Sequence, residues 1–213
     1  MQYHSYGRHG TFYSCPKLFR QLFIIHGLKN GTYVPVAYFL LTTKTTECYK
    51  VALQKLKSFL PSTYVPQKVF IDFEKATHTV VTWAWPSASR IGCRFHLGQA
   101  WHRRIQKLGL AKVYCSKSAE GSYLRSFFGL PYLPPEKLED FFLNDFVVNE
   151  PRGNASIKKF TNYIYTKYIC SSARYPPALW AQHTPIYIIF QLLSIILTRV
   201  WCVCILLYLI FFF

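Results

Sequence analysis

The run Val69-Phe70-Ile71-Asp72 carries three apolar residues straight into a carboxylate. A short apolar run of this kind reads as a buried strand, and an acid delivered at its C-terminal end marks a place where a ligand could be handled. Asp72 also fits a plainer role, because an Asp at the start of the next helical pattern accepts a backbone N–H and caps the helix. Glu74 stands two residues later at that helix start, where the dipole favours its charge, and reads as structural. Cys93 and His96 form a Cys-x-x-His pair. Zinc takes four ligands and only His102 and Cys115 stand nearby in sequence, so the pair reads as the fixing of a strand-to-helix turn rather than a zinc site. The helix that follows presents His102, Arg103, Arg104 and Lys107 with Trp101 between them. Such a basic face is suited either to tracking phosphates or to plain solvation.

These residues are carried by alternating short strands and helices. Thr11 to Ser14, Gln21 to Ile25 and Tyr33 to Leu41 read as strands, with a hairpin signal from His26-Gly27 through Asn30-Gly31. Thr45-Thr46-Glu47 offers a helix start, and Tyr49, Ala52, Leu53, Leu56, Phe59 and Leu60 recur at helical spacing until Pro61. Val69 to Ile71 is the next strand, Glu74 to Trp83 a helix, and Arg90 to Cys93 a strand. An amphipathic helix from Leu97 to Leu108 then closes at Gly109. The predicted order is β-β-β-α-β-α-β-α, an α/β arrangement found in ribonuclease H-like mixed sheets.

Beyond this core, composition divides the chain. Residues 1–110 form the α/β core. Residues 111–184 read as a mostly helical insertion region, with amphipathic stretches at Pro135 to Phe142 and Ile157 to Ile169. Residues 185–213 are an apolar tail whose only charge is Arg199. No internal repeat is visible. In the 213 residues, 25 Lys and Arg against 9 acidic residues give a formal charge of +16, which favours a polyanionic partner such as nucleic acid or an anionic membrane surface. Seven cysteines at irregular spacing, with no N-terminal apolar signal segment, point to a reducing compartment, the cytoplasm or nucleus.

Several motifs in one order carry a more specific resemblance. Gly10-Thr11-Phe12 with Cys15-Pro16 comes first, followed by QLFIIHG and then VPVAYFLL, with Thr46 and Tyr49 in the following helix. VFIDFEKA, IGCRFHLGQAWHRRIQKLGL and the later YPPALW complete the series. Together they resemble the transposase domain of Mutator-like elements (MULE) from about Gly10 to Trp180. The resemblance implies DNA cut-and-paste chemistry by three carboxylates holding two divalent ions, Mg2+ or Mn2+, roughly 4 Å apart on the attacking and leaving oxygens. Asp72 takes the second carboxylate position and a metal-ligand role, and Cys93 and His96 belong to the family motif.

The first carboxylate belongs immediately before Gly10, on a first strand lying beside the strand that ends in Asp72. His9 stands there instead. A neutral imidazole removes a negative charge and an oxygen ligand from a site built for hard ions. The third carboxylate is expected on a helix soon after YPPALW, and the tail from Pro185 onward has no Asp or Glu. Two-metal cleavage is therefore expected to be impaired and the metal not productively held. Residual DNA binding, through Arg103, Arg104 and Lys107, is expected to be indifferent to sequence, since no zinc-binding module precedes the core.

The tail has two readings. From Ile186 its 28 residues exceed the roughly 20 needed to span a bilayer. Arg199 costs roughly 2.5–3.5 kcal/mol near the centre of a span, which the surrounding Leu, Ile and Phe offset at about 0.3–0.6 kcal/mol each. That reading makes the chain a non-catalytic interaction protein on the same fold, tethered to a membrane by a single C-terminal helix. The other takes the tail, rich in residues with A/T-rich codons, as translated noncoding sequence. In that case the sheet lacks a covering helix and leaves apolar surface exposed.

Overall fold

A computed structural model describes residues 15–29, 32–181 and 205–210. By contacts the chain divides into two compact units, Met1–Ile91 with Phe190–Phe213, and Gly92–Ile189.

The first unit is built on a mixed sheet. Strands β1 (Gln21–Lys29) and β2 (Thr32–Leu41) form an antiparallel hairpin with a bulge between Ile25 and His26. Helix α1 (Thr46–Ser58) starts where the sequence predicts, with the Thr45 hydroxyl accepting the Cys48 N–H. Strand β3 (Lys68–Ile71), helix α2 (Lys75–Ala84) and strand β4 (Ser89–Gly92) follow in the predicted order. The core forms because apolar residues alternate on β1 and recur every third or fourth residue on the helices. Phe23 and Ile25 meet Tyr49, Ala52, Leu53 and Leu56 of α1, and Val80, Val81 and Ala84 of α2 join them. Lys57 ties α1 to the end of α2 by donating to the Ala84 carbonyl at 2.9 Å.

The sheet contains a strand that the sequence does not announce. Its order is β2-β1-β5-β3-β4, where β5 (Ile205–Ile210) comes from the apolar tail. β5 runs parallel to β1, from Phe23 opposite Ile205 to Leu28 opposite Ile210, and antiparallel to β3. One expectation is corrected here. A single helix over residues 186–213 is not what forms, because 205–210 are extended and hydrogen-bonded on both sides. The physical reason is that an apolar, β-branched and aromatic run satisfies its backbone as a strand between two open edges. The described neighbours of β3 are β5 and β4, and the strand expected beside it from Gly10-Thr11-Phe12 lies outside the described residues. Among the described residues no helix is long and apolar enough to cross a membrane, and 186–204 lie outside them.

Val34, Val36, Tyr38 and Leu40 alternate along β2 and are all exposed, with Tyr38 at 61%.

The second unit is helical. α3 (Arg94–Lys107) ends at Gly109, whose φ of 73° is the left-handed turn that stops the helix. α4 (Ala111–Cys115), α5 (Ala119–Ser126), α6 (Leu138–Phe141), α7 (Ala155–Ile164) and α8 (Pro177–Trp180) follow. α6 and α7 each continue into a wider-wound π turn, at Phe142–Val147 and Tyr165–Ile169. The core is aromatic. Trp101 is fully buried and meets Phe128, Tyr168 and Trp180 edge to face at 5.7–5.8 Å between centroids. Trp180, the last residue of YPPALW, also donates its indole N–H to the Tyr175 carbonyl at 2.9 Å.

Two outcomes follow from the sheet. Leu207→Pro removes a backbone donor from a strand paired on both sides and should abolish cooperative urea unfolding of the first unit. His26, at the bulge, is held neutral by burial, which lowers its pKa from 6.5 to about 4. Its unfolded form binds a proton more readily, so stability is full above pH 6.5 and is lost as the pH falls towards 4. Melting curves across that window should show this loss, and His26→Gln should flatten it.

Candidate functional site

β3 positions Asp72 by being buried on both faces. Val69, Phe70 and Ile71 have 3% exposure or less, and the chain leaves the sheet at a carboxylate that is itself 8% exposed. A buried carboxylate needs donors. Asp72 Oδ1 accepts the Glu74 N–H at 3.1 Å and the Thr77 hydroxyl at 2.9 Å. The Asp72 carbonyl receives His78 Nε2 at 2.6 Å, which fixes the proton on that nitrogen. Asp72 thus fixes the turn that leads into α2, and Glu74, the residue at the helix boundary, makes no side-chain cap bond.

Glu74 is not simply a surface charge at a helix start. Its Oε1 faces the Tyr49 hydroxyl at 3.3 Å, and the same hydroxyl lies 3.0 Å from Gln21 Oε1. One hydroxyl proton serves only one acceptor at a time, and Gln21 Nε2 is buried with no hydrogen-bond partner. Burial, and then the charge of Asp72, push the Glu74 carboxyl above its ordinary 4.5, against smaller opposing effects of Lys44 and the Tyr49 bond. The Tyr49 phenol is pushed up by burial, followed by the charges of Glu74 and Asp72. His78 is lowered, chiefly by burial. The result is two carboxylates with a polar shell from β1, α1 and α2. Gln21, Tyr49, Thr77 and His78 escape sequence reasoning because Tyr49 and Thr77 fall on the buried faces of their helices and Gln21 opens an apolar strand. Their signal is a polar atom placed at a core position.

In the second unit, Cys93 is the buried residue immediately before α3. Burial pushes its thiol up. The His96 hydrogen bond and charge, with the backbone N–H groups of His96 and Phe95, outweigh this and leave it below its usual value. The pair thus sits at a helix start, as expected of a turn-fixing motif. Among the described residues no three His, Cys, Asp or Glu side chains come together as a metal-binding group. His102 packs on Tyr114 at 5.4 Å between centroids. On the outer face of α3, Arg103 and Lys107 are exposed, Arg103 donates to Gln99 Oε1 at 2.7 Å, and Arg104 stacks over the Tyr163 ring at 4.9 Å. Trp101, which the sequence sets between these cations, points inward and is no part of that face.

The motif order, with Asp72 at the end of a buried strand, is the pattern that a comparison with known families can decide. Residues 9–100 match the MULE transposase domain. The match takes in His9, Asp72, Cys93 and His96 and ends within α3, before Arg103 and well before YPPALW, so it is shorter than the span from Gly10 to Trp180. No curated protein and no solved structure matches the chain. Of the residues in the matched stretch, Asp72 has one described carboxylate beside it, Glu74, and His9 lies outside the described residues.

Ionising Glu74 beside Asp72 opposes folding. Its carboxyl is raised in the folded state, so this cost is absent below the ordinary carboxylate range and grows as the pH climbs through 4.5 and above. Glu74→Gln should therefore unfold at higher urea than the parent protein at pH 7, with the difference closing below about pH 4.

Proposed function

We propose that this chain is a DNA-binding protein derived from a DDE-type cut-and-paste transposase, on a ribonuclease H-like core, with an impaired cleavage centre. The observation that carries this reading is Asp72, set at the end of β3 inside the region that matches the MULE transposase domain. The described strands and helices from β1 to α3 follow the order of that core, which supports the fold reading.

Mg2+ or Mn2+ is the ion that Asp72 would hold, supplying a Lewis acid for the phosphate oxygens. The donor set does not fit a two-metal centre. One Asp72 oxygen already accepts two hydrogen bonds, Glu74 is engaged with Tyr49, and the first position carries His9 in place of a carboxylate. A site with less negative charge holds two dications less well, because their mutual repulsion is no longer offset. DNA binding in this reading rests on the charge of +16 and on Arg103, Arg104 and Lys107, and a protein that meets DNA works in the nucleus or cytoplasm. Cys93 and His96 act in it as the clamp that sets the start of α3.

The full chain, mixed with supercoiled plasmid and Mg2+ or Mn2+, should bind DNA with an affinity that falls steeply with salt, and should leave the plasmid intact. Metal-dependent nicking that disappears in Asp72→Ala would sink the impairment. Absence of any salt-sensitive binding would sink the DNA-binding half of the reading.

A further inference from the structure

The basic residues of α3 do not stand alone in the second unit. α3 and α7 are in contact, and the contact brings two cations onto one tyrosine ring. Arg104 lies over Tyr163 at 4.9 Å from the ring centroid, and Lys167, just past the end of α7, lies 5.3 Å from the same centroid. Lys167 also lies 5.5 Å from Tyr168 and 5.7 Å from Tyr175. Two cations around one ring add their fields, which favours an anion beside them. Among the described residues no carboxylate pairs with Arg103, Arg104, Lys107 or Lys167. The Arg104 Nε atom is buried, so a phosphate would meet the terminal N–H groups of its guanidinium, which is always charged and fits phosphate oxygens well. Tyr163 is half-buried, so the ring backs the two cations with part of its surface facing outward.

We propose that Arg104 and Lys167 form a phosphate clamp across α3 and α7, backed by the ring of Tyr163, and that with Arg103 and Lys107 it constitutes a face that binds the DNA backbone. This rests on the DNA-binding reading above and deepens it by adding a second helix to the contact surface. The ligand group is a phosphodiester. The contact carries no base information, since each group meets a charge and not a base edge.

The test uses the full chain and a fluorescently labelled duplex, with anisotropy titrations over a series of salt concentrations. Each phosphate neutralised contributes a slope of about 0.9 to log K against log salt. Arg104→Gln and Lys167→Gln should each reduce the slope by about one such step, and the double variant by about two. Lys137→Gln, an exposed lysine before α6, changes net charge equally and should leave the slope unchanged. Arg104→Lys keeps the charge and should retain the slope, which separates a lost contact from a misfolded protein. If the parent protein binds but the slopes of Arg104→Gln and Lys167→Gln match that of the parent or of Lys137→Gln, the clamp is wrong and the DNA-binding reading stands. If the parent protein binds no duplex at any salt, both are wrong.

Discussion

The first unit depends on one constraint: a strand that is apolar on both faces ends in a carboxylate that is only 8% exposed. β3 is buried because Val69, Phe70 and Ile71 leave no polar face to expose, and Asp72 is drawn in with it. The charge is tolerable only because the next turn of chain donates to it, first the Glu74 N–H and then the Thr77 hydroxyl. Both of those bonds fall on one oxygen of the Asp72 carboxylate. The same constraint brings Glu74 and Tyr49 into the neighbourhood of a second negative charge, which accounts for the directions in which both groups are shifted.

The sheet that buries β3 is completed from the far end of the chain. β5 fits between β1 and β3, hydrogen-bonding to each in opposite senses, and turns two separate edges into a continuous surface. An open edge is a template for pairing with other chains, and filling it internally removes that hazard. The exposed row of Val34, Val36, Tyr38 and Leu40 on β2 remains. Residues 205–210 complete the sheet's backbone pairing, and the single helix read from the tail's hydropathy finds no counterpart in β5.

The second unit is organised around Trp101, which illustrates how a helix sorts its residues. α3 alternates cations with apolar residues at a spacing that sends Leu97, Trp101 and Ile105 inward and leaves Arg103 and Lys107 outside. YPPALW contributes Trp180 to the same core, so a motif that reads as a family marker acts as packing. The aromatic cores and the cation-bearing tyrosines of this unit follow from one composition, rich in Tyr and Phe as well as Lys and Arg.

Much of this was legible in the residues. The order from β1 to α3, the stop at Gly109, the N-cap at Thr45 and the carboxylate at the end of β3 each have a local physical signature: alternation, helical spacing, a capping side chain or a glycine in a left-handed turn. The partners of Glu74 had none, because Tyr49 and Gln21 look like core residues until the fold shows which polar atoms they turn toward each other and toward Glu74. Nor did β5. An unbroken apolar run has no periodicity with which to choose between strand and helix, so its hydropathy specifies burial but not what buries it. The sequence by itself determined the elements, the family region and the position of the carboxylate, since these depend on neighbours a few residues apart. The tertiary structure decided which groups meet the neighbouring Glu74 and where residues 205–210 pair, since both depend on contacts between residues far apart in the chain.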